Sequence, residues 1–383
     1  MEISSTIKYI GVDDTDIDFF ESQYPVPAGI SYNSYVIFDE KIAVVDTADA
    51  RKGAEWWSNL NDALAGRTPD YLLVQHMEPD HSSLIAEAME RFPAMQVVCT
   101  AKAVQMLTQF FETADTSRCI AVKEGDTLSL GNRVLRFLLA PMVHWPEVMV
   151  IYDEQERTLF SADAFGTFGA LSNGGGWDDE ARRYYINICG KYGAQVQVLL
   201  KKVASLDVAR ICPLHGPMLS ENLAHYVALY DTWSSYKPET EGVLVAYASI
   251  YGGTAATALW IADALRQRGA NVITHDLCRC DVSLAVSDAF RMSRMLLCAS
   301  SYDAGLFPPM HKFLHYLKIK GYQSRKVGIL ENGSWAPTAG RVMRSMLEEM
   351  KGLDVLPENV TIKSRMKSSD IPQLEVLVND ILL

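Results

Sequence analysis

Four side chains able to bind a metal crowd into one short stretch, "VQHMEPDHSS": His76, Glu78, Asp80 and His81. The chain has only 8 histidines. Two of them so close together, interleaved with two carboxylates, make either a polar turn or one wall of a metal site. The apolar run "YLLV" before them reads as a strand, and Leu84, Ile85, Ala88, Met89 and Phe92 recur at helical spacing from Ser82 onward. With an extended backbone between the two, His76, Glu78 and Asp80 project to one side, and His81 lies at the turn into the helix. Three later strand exits also end on a ligand type: "VLRFLLAPMVH" on His144, "TLFSAD" on Asp163 and "ARICPLH" on His215. One histidine at a strand end is most often an ordinary loop residue. Four coincident exits point to a site, because open α/β sheets place their sites beyond the carboxyl ends of strands. Four imidazoles and three carboxylates exceed the needs of one tetrahedral zinc and suit two metals sharing a carboxylate. No cysteine falls among them, and a nitrogen-and-oxygen set with open positions suits iron, with manganese and zinc also compatible.

A second constellation lies in "YASIYGGTAATALW". Ser249, Tyr251 and Thr254 offer hydroxyls around Ile250, while Gly252 and Gly253 let backbone N–H groups close on an anion at the start of a helix. The stretch has neither the lysine of a nucleotide-triphosphate loop nor the G-x-G-x-x-G of a dinucleotide fold, so it fits a mononucleotide held by hydroxyls and amides. Two further strand exits add Ser301, Tyr302, Asp303, Ala304 and Gly305, and Asn332, Gly333, Ser334 and Trp335. Tyr302 and Trp335 either flank a flat ring or cap the hydrophobic core.

The elements that position these residues follow from the apolar pattern. Before residue 240, short runs read as strands: 32–38, 41–47, 71–75, 95–100, 133–141, 148–153, 158–163 and 209–215. Helical patterns fall at 53–64, 82–92, 101–108, 180–202 and 221–233, which gives a sheet-rich α/β domain with outer helices. "YKPETEG", 236–242, reads as a linker between a domain of residues 1–240 and one of residues 243–383. After it the order becomes strictly βα, with helices expected at 254–268, 282–291, 309–320, 338–351 and 371–382, so a doubly wound parallel sheet of about five strands is expected. The formal net charge of −12 argues against nucleic acid or an anionic membrane as partner. The N-terminus lacks a basic-then-apolar leader and the apolar runs are too short to span a bilayer. The 7 cysteines are scattered and odd in number, as for reduced thiols in a cytoplasm.

The pattern H-x-E-x-D-H, followed by histidine, aspartate and histidine at later strand ends, resembles the flavodiiron proteins, as do "GISYNSYVI" and "RRYYINICGKYG". The resemblance implies a metallo-β-lactamase-like αββα sandwich followed by a flavodoxin-like domain. The binuclear zinc hydrolases of the first fold carry histidine where this chain has Glu78. That exchange adds an anionic oxygen ligand, which favours ferric iron and redox chemistry over water activation. Carried over by position, His76, Glu78 and His144 hold one iron, Asp80, His81 and His215 the other, and Asp163 bridges. Some members follow "DAFG" with a Gln-His pair where this chain has Thr167 and Phe168, and the usual phosphate loop has Asn where Gly253 stands. Tyr184, Tyr185 and Trp145 are candidates to flank the ligands. The three loops of the second half are similar to those that bind FMN in flavodoxins. The implied activity passes electrons from a rubredoxin-like donor through FMN to a di-iron centre that reduces dioxygen to water or nitric oxide to nitrous oxide. The implied assembly is a head-to-tail homodimer or a dimer of dimers. Two other readings are a binuclear metallohydrolase with the second domain as accessory, and an electron carrier with a vestigial metal site.

Overall fold

The computed structural model describes residues 3–383. The chain divides into two compact units: one takes in the chain up to Tyr185 with Ala194–Asp231, the other Ile186–Gly193 with Thr232–Leu383.

The first unit is built around two large sheets, with two small two-stranded ones beside them. The six-stranded sheet runs in the order Ile7–Tyr9, Tyr35–Phe38, Ile42–Val45, Tyr71–Leu73, Gln96–Thr100, Cys119–Val122. The five-stranded sheet runs Thr127–Ser129, Val134–Leu139, Met149–Asp153, Thr158–Phe160, Arg210–Cys212. Alternate residues of both sheets meet in one core: Tyr35 and Ile37, Ala43 and Val45, Tyr71 and Leu73 from the first, Leu135 and Phe137, Met149 and Ile151 from the second. This period of two is what stacks the sheets face to face. All eight expected strands are present, and those at Ile7–Tyr9, Ile30–Tyr32, Cys119–Val122 and Thr127–Ser129 are additional.

Two helix expectations change. The helix after the His76 cluster starts earlier, at Pro79–Ser82, and resumes at Ile85–Arg91. Proline at the first helical position has its φ preset for the turn, so Glu78 is extended and Asp80 is already helical. The single helix expected over 180–202 is two, Trp177–Ile188 and Gly193–Val203, with a 3-10 turn Gly190–Tyr192 between them. The break is built on close approach: a Cβ on Gly193 would run into the Ser234 carbonyl and the Tyr236 ring.

The second unit carries five parallel strands in the order Val272–Asp276, Thr240–Ala248, Met292–Tyr302, Lys326–Asn332, Asp354–Ile362. In sequence terms this is 2-1-3-4-5, the doubly wound order whose ligand crevice opens between strands 1 and 3. Helices Gly253–Gln267 and Ile371–Leu382 send Ala258, Ile261, Leu265, Leu374, Leu377, Val378 and Ile381 into one core with Val243, Val245, Leu296 and Leu330. The first strand begins at Thr240, inside the segment that reads as a linker.

Candidate metal centre and cofactor cavity

His76 lies three residues beyond the strand Tyr71–Leu73 of the first sheet, and its neighbour Gln75 fastens that end across the sandwich. The Gln75 side-chain amide donates to the carbonyls of Phe160 (2.7 Å) and Met149 (3.3 Å), strands of the second sheet. The Gln75 backbone N–H donates to the buried Asp46 carboxylate at 2.8 Å. Burial, opposed only in part by the backbone N–H groups of Gln75 and His76, pushes the Asp46 carboxyl well above its usual pKa. Backbone around these ligands lies in the left-handed region at four non-glycine residues, Asp46 (φ 51°), Met142 (66°), Ala162 (51°) and Phe165 (66°). Each such position costs about 1–3 kcal/mol and persists only where the surroundings over-determine it.

The four strand exits converge. His76, Glu78, His144 and Asp163 form one donor group and Asp80, His81 and His215 another, with the ligand atoms of each group within 4.8 Å of one another. In the first, His144 Nε2 lies 3.0 Å from Glu78 Oε2 and 3.1 Å from Asp163 Oδ2, and His76 Nε2 lies 3.2 and 3.5 Å from the same two oxygens. In the second, His81 Nε2 and His215 Nε2 face each other at 3.0 Å, and Asp80 Oδ2 is 3.4 and 3.3 Å from them. Asp163 belongs to both: its other oxygen, Oδ1, is 3.3 Å from His81 Nε2 and 3.8 Å from His215 Nε2.

The far sides of two imidazoles are spoken for. His76 Nδ1 is 2.8 Å from Glu147 Oε1, and His215 Nδ1 is 2.7 Å from the Ser31 carbonyl. A carbonyl only accepts, so His215 carries its proton on Nδ1 and turns an Nε2 lone pair inward; Glu147 does the same for His76. Both oxygens of Asp80 and of Asp163 are buried without a hydrogen-bond partner among the described residues. Buried anions of this kind need compensating positive charge. Two cations meet that demand: orphaned carboxylates and preset imidazole lone pairs are the donor chemistry of a binuclear nitrogen-and-oxygen site. Without metal, protons take the cations' place. Burial disfavours a charged His144, yet Asp163 and Glu78 outweigh it and raise its pKa to about 9. His76 and His215 are raised for the same kind of reason, while Glu78 and Asp163 are lowered by the histidines against the pull of burial.

Glu147, only 1% exposed, escaped the sequence reading. Besides His76 it accepts the Met77 N–H at 2.8 Å. Its one sequence signal is the position three residues after His144 in "HWPE". Trp145 packs its ring 5.2 Å from that of His76, and Tyr184 lies 5.5 Å from His215, whereas Tyr185 packs on Tyr230 instead. Thr167 and Phe168 put no histidine here. Phe168, with the Arg183 guanidinium 4.8 Å over its ring, joins Phe20 and Tyr184 in an aromatic wall beside His215. A cavity of about 250 Å³ lined by Phe19, Phe20, Tyr32 and Arg51 leads to Glu78 and Asp80. Arg51 donates to the Tyr32 hydroxyl there at 2.8 Å.

In the second unit a cavity of about 440 Å³ opens at the crevice end of the sheet. It is lined by all the residues expected of the three loops except Gly252 and Gly305. Those two are turned to the loops' own hydrogen bonds: Gly252 N–H donates to Ser249 Oγ at 3.0 Å, and the Gly305 carbonyl accepts from Thr338 Oγ1 at 2.9 Å. Trp335 is 92% exposed, so it stands at the rim and does not cap the core. Thr254 Oγ1 and Ser300 Oγ lie 2.8 Å apart on the floor, at the N-terminus of helix Gly253–Gln267. A floor of hydroxyls at a helix N-terminus, under an aromatic rim, fits a phosphorylated ring ligand. A fourth loop, with Ser364 and Arg365, also lines the cavity. The missing Asn of the family loop has a local reason. A side chain on Gly253 would run into the Ser364 carbonyl, and the Asn332 amide, reaching in from another loop, donates to Thr254 Oγ1 at 3.1 Å.

Residues 30–216 match the family model described as ODP family beta lactamase. An uncharacterized protein of Methanocaldococcus jannaschii is 31% identical over 83% of this chain and 81% of its own length. An anaerobic nitric oxide reductase flavorubredoxin of Aeromonas hydrophila is 27% identical over 96% of this chain and 76% of its own. Among solved structures, rubredoxin oxygen:oxidoreductase from Desulfovibrio gigas superposes with a TM-score of 0.93 at 25% identity, covering 100% of this chain and 97% of that one. The two folds, the convergent ligands and these relatives give one answer: the chain belongs to the flavodiiron protein family of oxidoreductases.

Proposed function

We propose that this protein reduces dioxygen or nitric oxide at a di-iron centre held by His76, Glu78, Asp80, His81, His144, Asp163 and His215, with electrons arriving through FMN from a rubredoxin-like donor. The observation that carries the reading is Asp163, whose Oδ2 addresses the His76–His144 pair and whose Oδ1 addresses the His81–His215 pair. When bound, the irons supply electrons and open coordination positions, and FMN delivers electrons one at a time. The chain's own residues do the rest. Glu147 and the Ser31 carbonyl fix the tautomers of His76 and His215, so their Nε2 lone pairs need no reorganisation. Glu78 and Asp163 put full negative charge beside one metal position, which favours its ferric state. Phe20, Phe168 and Tyr184 keep water from the His215 side, and a small uncharged substrate needs no polar path to cross that wall.

Anaerobic purification followed by metal and flavin analysis tests this. The reading requires iron and FMN in the same chain, and oxygen or nitric oxide consumption by the dithionite-reduced protein. Zinc in place of iron, with turnover of lactams or thioesters, supports the hydrolase instead. FMN without any metal supports a plain electron carrier.

Each site is built within its own unit. A head-to-tail homodimer, with the flavin of one chain serving the metals of its partner, satisfies the need for short electron-transfer distance twice through one interface. Co-expressing an iron-dead chain (His81→Asn, Asp163→Asn) with a flavin-dead chain (Gly253→Asn, Thr254→Val) restores activity in mixed dimers on this reading. Mixed dimers that form and stay inactive contradict it.

A further inference from the structure

The loop that binds a phosphate in the second unit has no lysine, and the cavity it closes is lined almost entirely by neutral groups. Its charged lining residues are one carboxylate, Asp303, and one cation, Arg365. An FMN phosphate carries about −1.5 to −2 charges at neutral pH, by analogy with phosphate monoesters of side chains. Amides and a helix N-terminus satisfy its hydrogen bonds but supply only about half an elementary charge. The loop that carries Arg365 is held at the phosphate end. The Ser364 N–H donates to Asn332 Oδ1, and its carbonyl accepts from Asn332 Nδ2, each at 3.0 Å. That same carbonyl lies so close to Gly253 that no side chain fits between them, and Gly253 begins the helix whose N-terminus faces the cavity. Ser364 takes a left-handed φ of 68° to turn the chain there. The loop's own carbonyls are met from its own side, by Lys367 Nζ on Lys363 (2.9 Å) and on Arg365 (3.0 Å). The Arg365 guanidinium, in contrast, makes no hydrogen bond or ion pair among the described residues. An unpaired fork of donors, on a loop clamped beside a helix N-terminus, is arranged for an anion that arrives from outside.

We infer that Arg365 is a phosphate-binding residue of the flavin site, which makes the second unit select the phosphorylated flavin over riboflavin. The inference rests on the FMN reading above. A guanidinium meets a phosphate through two parallel N–H donors, an arrangement that lysine cannot copy.

The test separates phosphate recognition from flavin recognition. The full-length chain is stripped of flavin and titrated with FMN and, separately, with riboflavin, following flavin fluorescence. In Arg365→Met, FMN binding weakens by about tenfold or more, the scale of a hydrogen bond to a charged group. Riboflavin binding stays within about twofold, since its loss lacks that term. Arg365→Lys recovers part of the FMN affinity, and the salt sensitivity of FMN binding is lower in Arg365→Met than in the parent. Equal weakening of both flavins overturns the inference, because Arg365 then acts on the ring or on the loop's shape. So does unchanged FMN affinity. A parent chain that binds neither flavin sinks the FMN reading itself, which is a different outcome from a parent that binds FMN with an indifferent Arg365. Because Arg365 is exposed and its side chain has no partner among the described residues, the flavin-free variant melts with the flavin-free parent, and a fall in melting temperature would mark a structural role instead.

Discussion

On the proposed metal centre Asp163 and Glu147 act at different removes, and their variants separate accordingly. Asp163→Asn takes away the charge that both donor groups share and replaces one oxygen with an amide that cannot bind a metal. Iron content should fall well below the parent's, and turnover should drop by more than about 100-fold, beyond the range for outlying partners of ligands. Glu147→Gln keeps the size and leaves every ligand in place but weakens the hold on His76 Nδ1, so metal affinity measured against a chelator should fall by about 10–100-fold. Equal effects from the two would show that Glu147 is itself a ligand. A second expectation concerns protons. His144, with its pKa raised to about 9 from an ordinary value near 6.5, holds a proton in the metal-free chain at neutral pH, and His76 and His215 are raised too. Metal must displace those protons, so observed affinity should rise with pH through the range in which His144 titrates. Calorimetry in buffers of different ionisation enthalpy reads the release directly, and uptake without proton release would contradict it. All seven residues of the candidate centre were visible in the sequence because each is a ligand type at or just beyond the end of an apolar run. Glu147 was not, because nothing in "HWPE" says which way that glutamate turns.

Elements were legible where one periodicity ran unbroken, and illegible where a contact distant in sequence broke it. Helices Gly53–Leu64, Val282–Arg291 and Ile371–Leu382 begin and end at the residues their apolar patterns mark. The helical pattern of 180–202 is just as continuous, yet the chain turns at Gly190–Tyr192 because Gly193 is needed against Ser234 and Tyr236. Gly193→Ala keeps the helical pattern and improves helix propensity, but forces the Ser234 carbonyl away. The net effect should be a loss of about 1–3 kcal/mol, the range for overpacking, seen as a lower denaturation midpoint with an unchanged slope. A gain in stability would show that the neighbours yield freely. The loop with Arg365 was missed for a related reason. Its place in the cavity depends on Asn332 and Gly253, and no local pattern at 363–366 points to them.

At the scale of the whole chain, the βα grammar after residue 240 was enough to give the five parallel strands of the second unit, though not the two-residue antiparallel strand Gly305–Leu306 beside them, and the strand order 2-1-3-4-5 adds the position of the crevice. Where that unit starts was harder to read. Arg325, 3% exposed, spends its guanidinium on the carbonyls of Tyr236 (2.6 Å), Phe290 (2.6 Å) and Met292 (2.9 Å). Thr240 already pairs with Met292 in the sheet. A fragment of residues 232–383 should therefore fold more stably than one of 243–383. The shorter piece leaves the Arg325 fork short of an acceptor, and such losses cost about 1–3 kcal/mol. Equal melting temperatures would show that residues 232–242 are dispensable.

The passage of Ile186–Gly193 through the second unit, between two stretches that belong to the first, has a consequence for synthesis. A ribosome delivers His215, the last of the candidate ligands, only after this short piece has emerged, and Tyr236, whose hydroxyl bonds Gly190 and Gly193, follows later still. At about 5–20 residues per second, that interval lasts a few seconds. During it the nascent chain carries a complete set of candidate ligands and a short segment whose own unit has not yet been made. The gene therefore cannot be cut once to exchange one half for a relative's, and any recombinant that joins two lineages has to carry Ile186–Gly193 with the half that follows it.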